Sequence, residues 1–110
     1  MPRVVTLGIC PIRPEKTDRF EEIGRELAEL RQDPANRPNG WHSFRLYRAI
    51  EDPCRFLIHG TWDSVEAHMG SVKSDRGQAM TGLISDCLAS DEIVHHYELV
   101  EGSSAGDVEL

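Results

Sequence analysis

Apolar positions along this chain recur with a period of two, then of three to four, then of two again, and that rhythm predicts the elements. From Arg3 to Ile9 β-branched and apolar residues alternate, which predicts a first strand closed by Pro11 and Pro14. Between about Pro14 and Gln32 the apolar residues Phe20, Ile23, Leu27 and Leu30 fall at helical spacing. Glu21, Glu22, Arg25, Glu26 and Glu29 cover the remaining faces of that helix. Asp33 to Gly40 is rich in Pro and Asn and reads as a loop. Gly40 to Ile50 predicts a second strand, with Trp41, Ser43, Arg45 and Tyr47 on one face and His42, Phe44, Leu46 and Arg48 on the other. Glu51-Asp-Pro-Cys54 makes a tight connection to a third strand, Arg55 to Trp62. A short helix at about Ser64 to Ser71 follows, its start marked by the capping-box spacing of Asp63 and Glu66. Ser74-Asp75 opens another helix, with the same spacing between Asp75 and Gln78 and a stripe of Met80, Leu83, Ile84, Cys87 and Leu88. Glu92 to Val100 is a fourth strand, and the polar, acidic Glu101 to Leu110 reads as a loose tail.

The order strand, helix, strand, strand, helices, strand predicts an α+β fold of the ferredoxin-like, split βαβ kind: an antiparallel sheet with its helices on one face. Residues 1–100 form that domain and residues 101–110 a flexible acidic tail. The opposite sheet face needs a cover, because Trp41, Tyr47 and apolar members of the third and fourth strands are too much to leave in water. A second copy, sheet face to sheet face in a two-fold homodimer, is the simplest one.

Composition narrows the partners. At 110 residues the chain has the length of one small domain. Twelve basic against 19 acidic residues leave a formal charge of −7, which argues against nucleic acid and anionic membrane. No apolar run approaches the roughly 18 residues a membrane span requires, and the first residues lack the apolar segment of a secretory signal. Cys10, Cys54 and Cys87 are scattered without CxxC spacing, which fits reduced thiols and a cytoplasmic location. There is no GxGxxG, P-loop or GxSxG, so nucleotide binding and serine hydrolysis lack support.

The chemistry concentrates in Arg55-Phe-Leu-Ile-His-Gly-Thr-Trp-Asp-Ser-Val-Glu-Ala-His68, a buried strand that ends on Trp62 and runs into a capped helix. A large ring is thereby fixed where a sheet meets a helix, a usual place for a small-molecule pocket, with His68 in the helix close by. Five histidines is a high count, and imidazole exchanges protons near neutral pH. His95 and His96 point to opposite faces of their strand, His59 lies on the opposite face from Trp62, and His42 opens the second strand. His59, His95 and Cys10 are potential metal ligands, but no HxH, HxxxH or HExxH spacing is present and no metal is expected. Arg45 and Tyr47 share a face, where they serve an anionic ligand or, more simply, ion pairs.

The hairpin Gly40-Trp-His-Ser-Phe-Arg-Leu-Tyr-Arg48, the Asp52-Pro53 turn, Arg55-Phe-Leu57 and above all Trp62-Asp-Ser-Val-Glu-Ala67 resemble the antibiotic biosynthesis monooxygenase (ABM) domain over about residues 3–100. The resemblance implies a dimeric α+β barrel with a pocket between sheet and helices in each subunit. It also implies cofactor-free oxidation by O₂ of an aromatic, polyketide-like substrate in secondary metabolism, and a pocket role for Trp62. The aromatic-oxidising members carry an Asn where this chain has Ile58, a Tyr where it has His68, and an Arg near the position of Gly82. The haem-degrading members carry their axial His where this chain has Val72. On that alignment Trp62 and His68 are the expected catalytic residues. Ile58, His42, His96, Phe20 and Met80 join Trp62 in the expected substrate site. Three readings follow: a monooxygenase without cofactor, a non-redox cyclase, dehydratase or isomerase using His acid/base catalysis, or a small-ligand-binding dimer without turnover.

Overall fold

The alternation that begins at Val4 carries through to Pro11 as β1 in the computed structural model, which describes residues 3–106. A single 3₁₀ turn, Pro14–Lys16, leads into α1, Thr17–Leu30. A second 3₁₀ turn at Pro34–Asn36 precedes the hairpin of β2, Trp41–Arg48, and β3, Arg55–Trp62. Helices α2, Val65–Lys73, and α3, Asp75–Ser85, then lead to β4, Ile93–Glu98. The sheet order is β2-β3-β1-β4 and every pairing is antiparallel, as the split βαβ arrangement requires. Leu99 to Gly106 has no regular structure and is exposed; the rest of the expected tail, and the first two residues of the expected domain, lie outside the described residues. Among the described residues no helix is long and apolar enough to cross a membrane.

One sheet face is the core face. Cys10, Ile12, Phe20, Ile23, Phe56 and Cys87 are buried there, with Leu46, Ile58, Met80, Ile84 and Leu88 packed against them. Phe20 meets Phe56 edge to face at 5.0 Å, and the Arg48 guanidinium lies 4.9 Å over the Phe56 ring while pairing with Glu21 at 2.7 Å. This cluster gathers at the Pro11 end of the sheet. The Val4 end, where β3 finishes on Trp62, is left to a different set of residues. The other face of the sheet exposes Ile9, Tyr47, Ile93 and Tyr97.

Four local details differ from the sequence expectations. β1 does not stop before Pro11: that residue pairs with Arg55 and its carbonyl accepts from the Ala89 N–H at 2.8 Å, while the β4 ladder has already ended at Ile9, so no β4 carbonyl waits for the missing donor. Pro14 belongs to the 3₁₀ turn, and the α-helix begins at Thr17. The β2 register shifts between Trp41 and Ser43, so Trp41 pairs with Trp62 and leaves the face of Ser43, Arg45 and Tyr47. Both later helices are capped by serine rather than through the acidic pairs. Ser64 Oγ accepts from the Ala67 N–H at 3.0 Å and Ser74 Oγ from the Gly77 N–H at 3.1 Å. Asp63 instead turns back to His42.

Candidate active site

At the Val4 end of the core face a row of residues crosses the sheet in register: Phe44 on β2, Gly60 on β3, Thr6 on β1 and His96 on β4. Gly60 is the low point of that row. A Cβ there would stand 2.8 Å from Thr6 Oγ1 and 3.1 Å from Trp62 Nε1, so glycine is what lets the indole fold back over its own strand. Thr6, 5 % exposed, donates its hydroxyl to the Gly60 carbonyl at 3.4 Å. Trp62 is left 7 % exposed.

Helix α2 closes this row from above. Its N-cap Ser64 fixes where the first turn begins, and the His68 N–H donates to the Ser64 carbonyl at 3.3 Å. His68 therefore comes down from the first turns onto the sheet. Its ring centre is 5.1 Å from that of Trp62 and 5.0 Å from that of His96. His68 Nδ1 and His96 Nε2 are 2.9 Å apart, a hydrogen bond in which one of the two nitrogens carries the proton and the other accepts it. Burial, and next the His96 charge, hold the His68 pKa below its ordinary value of 6.5. At neutral pH His68 is therefore a neutral imidazole, available to take a proton.

The structure brings together Trp62, His68 and His96 of the expected site residues. Phe20, Ile58 and Met80 belong to the core cluster. His42 is turned outward to Asp63. His59 and His95 sit on the sheet face opposite Cys10, both in register with Leu7, so those three residues do not converge on one point. Among the described residues no group of three or more His, Cys, Asp or Glu is arranged to hold a metal. The surface carries clefts of about 590 and 510 Å³, neither of them lined by Trp62, His68 or His96.

Two features were not singled out in the sequence. Thr6 and Gly60 shape the site, and the signal for them is only their place in the strand alternation. Further along the core face, the buried Cys10 thiol donates to Glu92 Oε2 at 3.5 Å. Burial raises the Glu92 pKa above 4.5, against the smaller opposing effect of the Cys10 bond. Burial, and next the Glu92 charge, push the Cys10 thiol far up, so it is an inert proton donor and no nucleophile.

The architecture and the sequence both have known counterparts. A protein of Bordetella bronchiseptica, provisionally described as an antibiotic biosynthesis monooxygenase, superposes with a TM-score of 0.76 at 26 % identity, over 92 % of this chain and all (100 %) of that one. A Nitrosomonas europaea protein with the same provisional description gives 0.76 at 18 % identity, over 93 % of this chain and 94 % of the other. A conserved protein of Methanosarcina mazei Go1 gives 0.75 at 20 % identity, over 88 % and 92 %. Among curated proteins none matches the chain. The sequence profile of the antibiotic biosynthesis monooxygenase family matches residues 9–81, from the end of β1 through most of α3, with Gly60, Trp62 and His68 among them. The chain belongs to the antibiotic biosynthesis monooxygenase family.

Proposed function

We propose that this protein is a cofactor-independent monooxygenase of a small aromatic, polyketide-like molecule in secondary metabolism, with His68 as the base and Trp62 as the ring that orients the substrate. The observation that carries this reading is the 2.9 Å bond between His68 Nδ1 and His96 Nε2 beside the Trp62 indole. When His68 Nδ1–H donates to His96 Nε2, His68 Nε2 keeps a free lone pair. A proton taken from an acidic C–H or phenol then makes His68 an imidazolium whose other N–H already has an acceptor. That is the base-and-orienter logic of activated sites, with His96 as the orienter.

The chemistry balances without an external reductant. An activated ring CH₂, as in an anthrone, loses a proton to His68 and becomes an electron-rich anion. The anion reduces O₂, one oxygen atom becomes the new ring carbonyl and the other leaves as water, so CH₂ and O₂ give C=O and H₂O. The protein supplies deprotonation and orientation. The protein acts as a homodimer in this reading, its second copy covering Ile9, Tyr47, Ile93 and Tyr97.

The same pair favours a second reading, a cyclase, dehydratase or isomerase of a similar substrate, since Ile58 and Gly82 stand where the aromatic-oxidising members carry Asn and Arg. Oxygen uptake decides. With an anthrone-type substrate, consumption of O₂ equal to product formed, reduced about 100-fold or more in His68→Ala, is the expected result. Turnover that proceeds equally under nitrogen establishes the second reading. Saturable binding with no turnover leaves a binding protein.

A further inference from the structure

On the far side of α2 from the histidine pair, we infer a binding site for a small organic oxyanion, a carboxylate or a phosphate, in the cleft of about 590 Å³ where Arg31 and Arg76 converge on Asn36. Arg31, just past the end of α1, donates to the Asn36 main-chain carbonyl. Arg76, in the first turn of α3, donates to the side-chain Oδ1 of the same residue at 3.4 Å. Two guanidiniums far apart in sequence are thus brought to two oxygens of one asparagine. A third, Arg37, anchors on the Arg31 carbonyl at 2.7 Å and the Gln32 carbonyl at 3.3 Å.

None of these three arginines makes an ion pair among the described residues. Each guanidinium has five N–H donors, and these bonds occupy only one or two of them. The cleft also holds two acids, Asp63, engaged by His42, and the exposed Glu66, against three arginines, so positive charge remains in excess. Holding like charges together is unfavourable, and the pKa of the half-buried Arg31 is lowered by burial first and by Arg76 next. An oxyanion set between the two forks removes that repulsion and meets the planar, bidentate geometry that guanidinium prefers. Ser64 and Ser74, the N-caps of α2 and α3, line the same cleft.

The cleft is also built, and it has room. Arg31 and Arg37 lie 6.0 and 5.7 Å over the Trp41 ring, which holds them on one side. Gly40, at φ +80°, lets the loop approach α2 so closely that a Cβ would stand 2.7 Å from Ala67 Cβ. A volume of about 590 Å³ exceeds an inorganic ion and suits an organic molecule bearing the charged group. Ala67 faces this cleft and its neighbour His68 faces the sheet, so the two sites share a helix and no side chain.

The test is a titration of the ¹⁵N-labelled full chain with inorganic pyrophosphate and with succinate, using succinamide as the uncharged control. The backbone amides of Asn36 and Gly77 and the arginine Nε–H signals are followed. Saturable shifts with either anion and none with succinamide are expected, and the better anion tells phosphate from carboxylate. Arg76→Gln and Arg31→Gln should each weaken the better anion at least about 10-fold, the loss of one charge-assisted hydrogen bond. Arg25→Gln, on the exposed side of α1, should leave it unchanged. Absence of saturation by about 10 mM overturns the assignment. So does binding that survives both substitutions. Should Arg31→Gln fail to fold, Arg76→Gln decides alone, since that exposed side chain holds only the 3.4 Å bond to Asn36.

Discussion

Replacing Gly60 with alanine adds one methyl group at the tightest point beneath the Trp62 indole, and the structure sets the expected sign and size. The new Cβ would lie 2.8 Å from Thr6 Oγ1 and 3.1 Å from Trp62 Nε1, both closer than ordinary contact. Neither neighbour is a flexible chain end. Thr6 is 5 % exposed and donates to the Gly60 carbonyl; Trp62 is 7 % exposed and lies against His68. Overpacking of this kind costs about 1–3 kcal/mol. Alanine also restricts the unfolded chain, which offsets about 0.4–1 kcal/mol. The net expectation is a destabilisation centred on about 1.3 kcal/mol, a fall in Tm of roughly 5–10 °C for a domain of this size. The identical substitution at Gly82 in α3 meets nothing within 4 Å. There it should stabilise by about 0.5–1 kcal/mol, through helix propensity alone. Urea unfolding followed by far-UV circular dichroism measures both, and the near-UV spectrum reports the displaced indole in Gly60→Ala. If Gly60→Ala matches the parent in midpoint and near-UV spectrum, the indole does not depend on the missing side chain and the account of the site is wrong.

Three further outcomes are expected. Because the Glu92 pKa is raised above 4.5, its stabilising contribution is present below that pH and is lost as pH rises through the folded-state value. Glu92→Gln should therefore gain on the parent as pH rises above 4.5 and level off once the folded-state value is passed, in urea midpoints, and parallel profiles for the two proteins would reject the buried-acid description. The depressed His68 and His59 act in the opposite sense, costing stability as pH falls below 6.5. Thiol titration of the native protein should find Cys54 alone reacting quickly, since Cys10 and Cys87 are 0 % and 1 % exposed; a second fast thiol contradicts that packing. Light scattering should give a mass twice that of the chain, reduced to one chain by Tyr97→Asp on the open sheet face. A monomeric parent protein disposes of the dimer.

Much of the fold is legible in the sequence because periodicity is local. Val4 to Pro11, Arg55 to Trp62 and Ile93 to Glu98 alternate cleanly, so their faces follow from counting, including the opposite sides taken by His95 and His96. Trp41 escapes that counting. A register shift between Trp41 and Ser43 carries the ring to the helix side, and no residue type there announces it. The caps were ambiguous for a similar reason: Asp63 and Ser64 are both good N-caps, and the choice is made by His42, which engages Asp63 from another strand. His68 was readable as a site residue, and His96 as lying on the opposite face of its strand from His95. Their contact depends on how α2 crosses the sheet, across 28 positions of chain, and no local pattern encodes that. The arginine cleft was invisible for the same reason, because its bonds run from α1 and α3 to a single loop asparagine.

Two side chains on the core face, Glu92 just before β4 and His96 within it, bear on how a proton is handled there. Glu92 and His96 follow the same alternation, one pushed toward its neutral acid and the other bonded to a neutral base. Such a pair would be the obvious acid and base of a single site if the two were close. Four residues along an extended chain at roughly 3.3 Å each put them about 13 Å apart, beyond any direct proton transfer. Glu92 is further committed to the Cys10 thiol at 3.5 Å, inside the core. Base chemistry of the proposed kind at Trp62 would therefore rest on the two histidines themselves. An unpartnered His68 would face its imidazolium into a half-buried place with nothing to accept the second N–H, an unfavourable state. His96 supplies that acceptor at 2.9 Å, which is why a second histidine on the strand beneath α2 matters more to the proposed chemistry than any of the three that point elsewhere.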